Sequence, residues 1–221
     1  MTSPRAADPP RAPVVAEALG DLVLGALEPE ATYEGVAIAG GDAVGTRAAG
    51  VTCRSCRLAD VRLAGADLEA LALADVVIER GDLSNLVARR AHLRAVAARG
   101  TRMTGMTLTD ASLLDVRIRG AQLDLASFAG SRLVRVTFEE CTLRQADALG
   151  AELQSVRFHG CDMTGFDLRD ATLSRCELRD CRLDDLRGAD RLRGATMPWA
   201  DIVANAALWA AELGIHAESD E

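Results

Sequence analysis

The sequence predicts an all-β solenoid whose coils have four short sides, and three observations lead to this fold. A large apolar residue returns at every fifth position from Val51 to Leu186. The residue two positions before it is nearly always small or β-branched. Similar residues also recur 20 positions apart, as at Cys141, Cys161 and Cys181. A period of five matches neither the about 3.6 residues of an α-helix nor the about 2 of a strand, so it indicates a different geometry.

We call the recurring apolar position the centre and the residue two before it the shoulder. There are 27 centres, at every fifth position from 53 to 183, and 23 of them hold Leu, Ile, Met or Phe. The exceptions are Cys53, Ala88, Ala98 and Ala148. Bulky shoulders occur where space can be exchanged: Leu86, for example, precedes the small centre Ala88. Such compensation is expected in a close-packed interior.

Four five-residue units close one coil if each unit forms a side and then turns by about a quarter of a circle. Centres and shoulders then point inward, and the other three residues of each unit point outward. Successive coils hydrogen-bond at the strand spacing, so the segment from Val51 to Leu186 gives about seven coils and a rod about 33 Å long. Phe138 and Phe158, 20 residues apart, are expected to stack.

The N-terminal part of the chain is predicted to be an arm followed by a cap. Residues 1–13 hold four of the six prolines and are expected to be disordered. Residues 14–50 form the N-terminal cap and degenerate first coils, in which Val36 and Ile38 keep the shoulder and centre spacing. Between residues 14 and 32, a short helix followed by a strand remains one possibility.

The repeats extend over residues 51–197, and a C-terminal helix is predicted for residues 198–214, followed by a tail at 215–221. Pro198 is suited to the first helical turn and Gly214 to the C-terminal stop. One helix face is apolar and is expected to close the open end of the solenoid: Trp199, Ile202, Val203, Ala206, Ala210 and Leu213. Leu208 lies on the other side and is a candidate dimer contact.

Composition limits the cellular setting and the class of partner. The net charge of −8 argues against unspecific binding to nucleic acid or an anionic membrane. The first residues lack the apolar core of a secretory signal, and no run approaches the length of a spanning helix. A cytoplasmic protein with six reduced cysteines is therefore expected.

Residues that could suggest catalysis or metal binding are explained by the repeat. Cys53 and Cys56 have the CxxC spacing, but both fall on inward positions and no second pair lies at zinc-finger distance. Asp67, Asp162 and Asp167 precede centres, where the repeat itself often carries Asp. No phosphate-binding loop, nucleophile elbow or dinucleotide fingerprint is present. We therefore expect no enzymatic activity, no cofactor and no bound metal.

The repeat unit, approximately A(D/N)LXX, resembles that of the pentapeptide-repeat family, and ADLEA, ADALG and FDLRD match it closely. The resemblance covers residues 33–202 and includes a C-terminal segment similar to that of actinobacterial members. It implies a right-handed quadrilateral β-helix of about 7–8 coils of 20 residues with a C-terminal helical cap. More distantly, the chain resembles the quinolone-resistance and albicidin-resistance branch of the family.

That branch binds DNA gyrase or topoisomerase IV as a DNA mimic and dimerises through its C-terminal ends. The resemblance thus implies a non-catalytic protein-binding solenoid that protects a type II topoisomerase from poisons, which is a form of antibiotic resistance. The alternative is a structural or scaffolding solenoid that binds another protein and has no topoisomerase role. Fold membership alone does not decide between them.

Charge does not favour a uniform DNA mimic. Duplex DNA carries one negative charge per about 1.7 Å, whereas residues 51–186 hold 20 Asp and Glu against 19 Arg. A candidate basic belt, with a third possible role in anion binding, consists of Arg89, Arg90, Arg94, Arg117 and Arg119. A candidate partner-binding surface in the acidic C-terminal half consists of Glu139, Glu140, Asp162, Asp170, Asp180, Asp184 and Asp185.

Overall fold

The computed structural model describes residues 7–16, 18–22 and 27–215. Over these residues the chain forms a parallel β-solenoid of about 8 coils followed by short helices, which confirms the predicted quadrilateral β-helix and its helical C-terminal end. The strands are β1 Gly20–Leu22, β2 Thr32–Glu34, β3 Val36–Ala39, β4 Thr52–Arg54, β5 Arg57–Ala59, β6 Ala72–Glu79, β7 His92–Arg99, β8 Ser112–Arg119, β9 Arg132–Glu139, β10 Glu152–Gln154, β11 Arg157–His159, β12 Thr172–Ser174 and β13 Glu177–Arg179. A 3-10 helix (Ala189–Leu192) precedes α1 (Trp199–Ala204) and α2 (Ala206–Glu212).

Strand register confirms a coil of 20 residues. In β6, β7, β8 and β9 each residue pairs with the one 20 positions later, as in Leu73 with Leu93 and Leu93 with Leu113. The other two sides of each coil pair through single parallel bridges with the same offset, such as Arg62 with Asp82. The offset falls to 19 where Glu177 pairs with Thr196, which is the one-residue slip that the pattern predicts for the last coil.

Each side ends at a residue with left-handed backbone. Positive φ recurs two residues after each centre over most of the rod, at glycines such as Gly65 and at residues such as Asp60 and Asn85. Left-handed backbone is open to Gly and, at lower cost than for other residues, to Asn and Asp. We number the sides by the residues 41–45 (side 1), 46–50 (side 2), 51–55 (side 3) and 56–60 (side 4), which recur every 20 residues.

The interior is filled as the repeat predicts. Leu123 has no exposed surface, and the bulky shoulder Leu86 is fully buried beside the small centre Ala88. The rings of Phe138 and Phe158 stack with centroids 5.1 Å apart and an interplanar angle of 4°. One continuous apolar core therefore runs through the coils.

The N-terminal part differs from the prediction. Residues 1–6 lie outside the described residues, but from Ala7 onward the expected disordered arm is placed against the solenoid. There the Arg11 backbone N–H donates to Asp115 Oδ1 at 2.9 Å, a partner that the five-residue period does not reveal. Strand β1 pairs with β3, so the cap begins with a strand; no helix occurs among the described residues of 14–32.

The predicted C-terminal helix is two short helices separated at Asn205. The break changes the direction of the apolar face: Trp199 and Leu213 are each 76% exposed, so the predicted closing face is wrong for these residues. Leu208, predicted on the opposite side, instead packs against the core together with Trp209. Trp209 Nε1–H donates to the Ile202 carbonyl at 2.9 Å, which fixes α2 against α1. Within the described ranges, no helix has the length and apolar character needed to cross a bilayer.

Candidate protein-binding surface

The candidate acidic residues lie on three of the four sides of the rod. Glu139 and Glu140 follow β9 on side 4, and Asp180 lies at the same corner two coils later. Asp162 and Asp184 lie on side 1 with Asp185 at its corner, and Asp170 lies at the corner of side 2. The repeat therefore places these carboxylates around the C-terminal coils instead of along one flat face.

Four of the seven candidate acids are paired with arginine within the rod. Glu139 lies 3.8 Å from Arg117, and Glu140 lies 3.2 Å from Arg119. Asp162 accepts a hydrogen bond from Arg144 Nε at 2.7 Å. Asp184 pairs with Arg182 at 2.6 Å. These pairs lower the charge that a partner would meet at the four acids.

The candidate basic belt is paired in the same way, so it is not a separate cationic surface. Arg117 and Arg119 neutralise the two glutamates just named. Ion pairs also join Arg89 to Asp67, Arg90 to Glu69 and Arg94 to Asp75. Exposed pairs of this kind contribute at most about 1 kcal/mol each to stability. Their main consequence here is electrostatic, because each belt guanidinium has a carboxylate beside it.

Three exposed acids remain without an ion pair among the residues that the structure describes: Asp170, Asp180 and Asp185. All three occupy left-handed corners in the C-terminal coils, with φ between 53° and 60°. Asp tolerates this backbone better than most residues, which explains its presence at a corner. Because an unpaired carboxylate can meet a cationic partner without breaking an existing pair, these residues form the strongest acidic feature of the surface. We call them the terminal carboxylates.

An open cleft of about 790 Å³ lies beside this acidic end, between α1–α2 and side 1 of the last coils. Asp184, Asp185 and Arg187 line its solenoid wall, and Asn205 and Leu208 line its helical wall. Leu208 thus helps to hold α2 against the solenoid, and its predicted role as a dimer contact has no outward-facing side chain behind it. The helices and terminal carboxylates consequently occur at the same end of the rod.

The strongest carboxylate–guanidinium contact lies elsewhere, at the corner between sides 3 and 4. Arg135 donates from Nε and Nη2 to the two oxygens of Asp115, at 2.6 and 2.7 Å. These hydrogen bonds hold the pKa of Asp115 below its usual range although burial acts in the opposite direction. The Arg11 backbone N–H supplies a third hydrogen bond to the same carboxylate. The Asp115–Arg135 pair therefore links two coils and the N-terminal arm.

The period did not predict this corner as a site, although it contains a signal. Outward positions of the rod are mostly polar, but Ala95 and Ala97 are outward and buried. Thr137 and Ser155, also outward, are buried as well. Small or uncharged outward residues in one column indicate a surface covered by another segment. Here that segment is the N-terminal arm, which lines a small cleft with Ala97.

The cysteines occupy the inward positions predicted for them. Cys53 and Cys56 are both buried in the core. The bridges Thr142–Asp162 and Asp162–Arg182 place Cys141, Cys161 and Cys181 in successive coils. The described residues contain no group of three or more His, Cys, Asp or Glu that is arranged to hold a metal ion. The interior thiols thus act in packing, as free Cys commonly does.

Comparison with known proteins agrees with the repeat geometry. The family model for pentapeptide repeats matches residues 121–160 and 151–190, with eight copies. The trypsin-treated structure of a QnrB1 variant, described as a plasmid-mediated fluoroquinolone resistance protein, is 20% identical; the match covers 90% of this chain and 98% of that one, with a TM-score of 0.41. No curated protein matches the chain significantly.

Two further solved structures with pentapeptide repeats are similar to the chain. HetL, involved in heterocyst differentiation regulation in the cyanobacterium Nostoc, is 20% identical over 81% of this chain and 87% of that one, with a TM-score of 0.24. A protein from the Arabidopsis thaliana thylakoid lumen is 24% identical over 41% of this chain and 63% of that one, with a TM-score of 0.28. The matched segment at 121–190 continues in the same register from residue 51. The repeat region of this chain therefore belongs to the pentapeptide-repeat family.

Proposed function

We propose that the protein is a non-catalytic binding solenoid that engages a type II topoisomerase, DNA gyrase or topoisomerase IV, and protects it from topoisomerase poisons. The terminal carboxylates carry this proposal, because the other charges of the rod are largely paired. A protein that binds DNA presents a cationic groove, and unpaired carboxylates can enter such a groove as phosphates do. The proposal includes a cytoplasmic location, where the protein would meet its target.

The paired charges limit the form of mimicry that we propose. Asp60 and Arg80, for example, form two hydrogen bonds of 2.9 Å that neutralise a corner of side 4 near the N-terminal end. A partner would have to break such pairs to meet an acidic face along the whole rod. We therefore propose contact through the C-terminal end alone, where Asp170, Asp180 and Asp185 are available.

The test is a binding measurement with purified DNA gyrase on an immobilised full-length chain. Replacing Asp170, Asp180 and Asp185 together by Asn should weaken binding at least about tenfold, since each lost charge-assisted contact contributes about 1 kcal/mol or more. A matched control replaces the paired acids Asp60 and Glu140 by Asn and Gln. Equal affinity of the triple variant and the parent would reject the terminal carboxylates as the contact.

A homodimer is part of the proposal, and one observation suggests where it would form. Trp199, Val203, Leu213 and Ile215 are all exposed on the terminal segment. Large apolar side chains grouped at one end of a chain commonly mark a contact with another protein. We assign these residues, in place of Leu208, as the candidate dimer contact.

The second candidate function is a scaffolding solenoid that binds a different protein and has no topoisomerase role. The paired faces favour it, because coil-to-coil ion pairs give a surface that is polar and close to neutral over most of the rod. Affinity capture from the host would separate the two functions. Recovery of topoisomerase subunits that is lost in the triple variant supports the first function; reproducible capture of another protein without topoisomerase supports the second.

A further inference from the structure

The N-terminal arm lies along the corner between sides 3 and 4 and crosses several coils. The Val14 backbone N–H donates to Asp75 Oδ1 at 3.0 Å, and the Arg11 N–H donates to Asp115 Oδ1 at 2.9 Å. At the other end, Arg175 Nη1 donates to Asp8 Oδ2 at 3.1 Å. The arm therefore runs from the C-terminal coils toward the N-terminal coils, along the axis of the rod.

The distance covered requires an extended backbone. Asp75 and Arg175 are five coils apart, which is about 24 Å at the strand spacing. The six residues from Asp8 to Val14 cover about 19 Å as a polyproline II helix and about 9 Å as an α-helix. Only the extended form, with the reach of the side chains at its ends, can make these contacts. Pro9, Pro10 and Pro13 favour that form by fixing φ.

The repeat of the arm also matches the repeat of the solenoid. A polyproline II helix has three residues per turn, so Arg11 and Val14 present their N–H groups on the same side about 9.3 Å apart. Their acceptors, Asp75 and Asp115, are two coils apart, or about 9.6 Å. One turn of the arm therefore corresponds to two coils of the rod. This match lets an extended proline-containing segment meet a carboxylate at each turn.

The corner forms a groove with small residues on its floor. Ala95, Ala97, Thr137 and Ser155 are outward in the repeat but buried. Pro10 and the residues that follow it line the same cleft as Ala97. Larger side chains at these positions would fill the space that the arm occupies.

The two ends of the groove carry opposite charges that complement the arm. Toward the C-terminal coils, Arg157 and Arg175 face the Ala7 carbonyl and the Asp8 carboxylate. Toward the N-terminal coils, the acceptors are Asp75 and Asp115. A ligand with a carboxylate at its beginning and free N–H groups after its prolines therefore has a defined direction in the groove.

The arm does not satisfy every polar group beneath it. Among the described residues, Thr137 Oγ1, Ser155 Oγ and Arg157 Nε are buried and have no hydrogen-bond partner. A buried group without a partner costs about 1–3 kcal/mol. A different segment that reached these atoms would bind more tightly per residue than the arm itself. The arm is thus a partial fit to the groove.

From these observations we propose that the corner groove is a binding site for a polyproline II segment of a partner protein, and that the N-terminal arm is a competing intramolecular occupant. The partner segment would carry an acidic residue next to its prolines and a backbone N–H three residues after that acid, as Asp8 and Arg11 do. This site lies on a different surface from the terminal carboxylates and goes beyond the topoisomerase proposal. Release of the arm would regulate access to the groove.

The experiment measures binding of a labelled peptide with the sequence of residues 7–16, ADPPRAPVVA, to the full-length chain. The tethered arm competes at an effective concentration near millimolar, so the parent should bind the peptide weakly. In Asp8→Arg the arm meets Arg175 with like charge; hydrogen exchange at Arg11 and Val14 should accelerate, and peptide affinity should rise about tenfold. Adding Asp115→Asn to this variant should reduce peptide affinity about tenfold.

Two controls separate a specific groove from general attraction. Asp60→Asn disrupts a comparable pair with Arg80 at a corner that the arm does not cover, and it should leave peptide binding unchanged. A peptide in which alanine replaces the three prolines should bind about tenfold more weakly, because its extended form is not preorganised. Circular dichroism checks that each variant remains folded. Equal binding of both peptides, equal affinity in all variants, or unchanged exchange at Arg11 and Val14 in Asp8→Arg would overturn the proposal.

Discussion

Leu123 and Leu125 show how strictly position in the repeat determines the role of a residue. They are two residues apart, yet Leu123 has no exposed surface whereas Leu125 is 57% exposed. Leu123 is a centre and Leu125 occupies a left-handed corner with φ 60°. Residue type alone would treat them alike, and only the five-residue register separates them.

The first prediction uses this pair. Leu123→Asp should destabilise the chain by at least about 3 kcal/mol, because it leaves a cavity and a buried charge without a partner. Leu125→Asp should change the free energy of unfolding by less than about 1 kcal/mol, since Asp tolerates a left-handed corner. Urea unfolding followed by circular dichroism measures both. Similar midpoints for the two variants would contradict the inward assignment of the centres.

Glycines at the corners allow a second prediction at the same scale. A Cβ atom on Gly188 would approach the Arg169 backbone nitrogen to 2.8 Å, whereas one on Gly120 would meet no atom within 4 Å. Both glycines have positive φ, at 73° and 61°. Gly120→Ala should therefore cost only the left-handed penalty of about 1–2 kcal/mol. Gly188→Ala should cost clearly more, and thermal unfolding that ranks the two variants in the opposite order would contradict this packing.

At the scale of elements, the N-terminal arm provides a prediction of pH dependence. The pKa of Asp115 is lowered first by its hydrogen bonds to Arg135, and the Arg11 N–H contributes further. Its contribution is therefore complete above the ordinary Asp value of about 3.9 and is lost as the pH falls through the lower folded value. Hydrogen exchange at Arg11, corrected for the intrinsic effect of pH, should show an arm that is protected at pH 6 and released below about pH 3. Protection that persists in Asp115→Asn at pH 6 would show that the carboxylate does not hold the arm.

The terminal helices provide a prediction about assembly. Trp199→Asp combined with Val203→Asp should convert a dimer to a monomer with little loss of stability, because both side chains are exposed. Leu208→Asp should instead lower the stability of the last coils, because Leu208 packs on the core. Light scattering and thermal unfolding distinguish these effects. A parent that is monomeric at all concentrations tested would remove the dimer from the proposal.

The sequence predicted the coils well and the two ends poorly, for physical reasons. A centre or shoulder must be apolar whatever its neighbours are, so Cys161 and Phe158 could be placed inward from spacing alone. The arm lacks any such period, and its placement depends on contacts with residues about 60 or more positions away, such as Asp75. The break at Asn205 likewise depends on how α2 docks on the last coil, since Asn is only a mild helix breaker.

At the scale of the molecule, a known coil length makes many ion pairs readable from sequence. Asp42 with Arg62, Asp60 with Arg80 and Asp115 with Arg135 are all 20 residues apart. The charge count alone showed that the rod is nearly neutral, but not which acids remain unpaired. That outcome depends on which direction each long arginine side chain takes; Arg169, for instance, bends back to Asp167 and leaves Asp170 without a pair.

The account accordingly predicts a rod whose long faces are electrostatically mild and whose C-terminal end is acidic. Binding to a topoisomerase through that end should depend steeply on salt, because exposed charges are screened over about 10 Å at 0.1 M ionic strength. The N-terminal arm should not affect this binding, since its groove lies on another surface. The two proposals can therefore fail independently.

The most direct test is a DNA gyrase supercoiling assay in the presence and absence of a fluoroquinolone, with the full-length chain added at low micromolar concentration. The account predicts that the chain alters supercoiling or reduces poison-induced cleavage, and that replacing Asp170, Asp180 and Asp185 by Asn removes at least about nine-tenths of the effect, as expected from the loss of about 1.4 kcal/mol or more of binding free energy. The paired-acid control, with Asp60 and Glu140 replaced, should behave as the parent. No effect of the parent chain on either gyrase or topoisomerase IV would contradict the central claim.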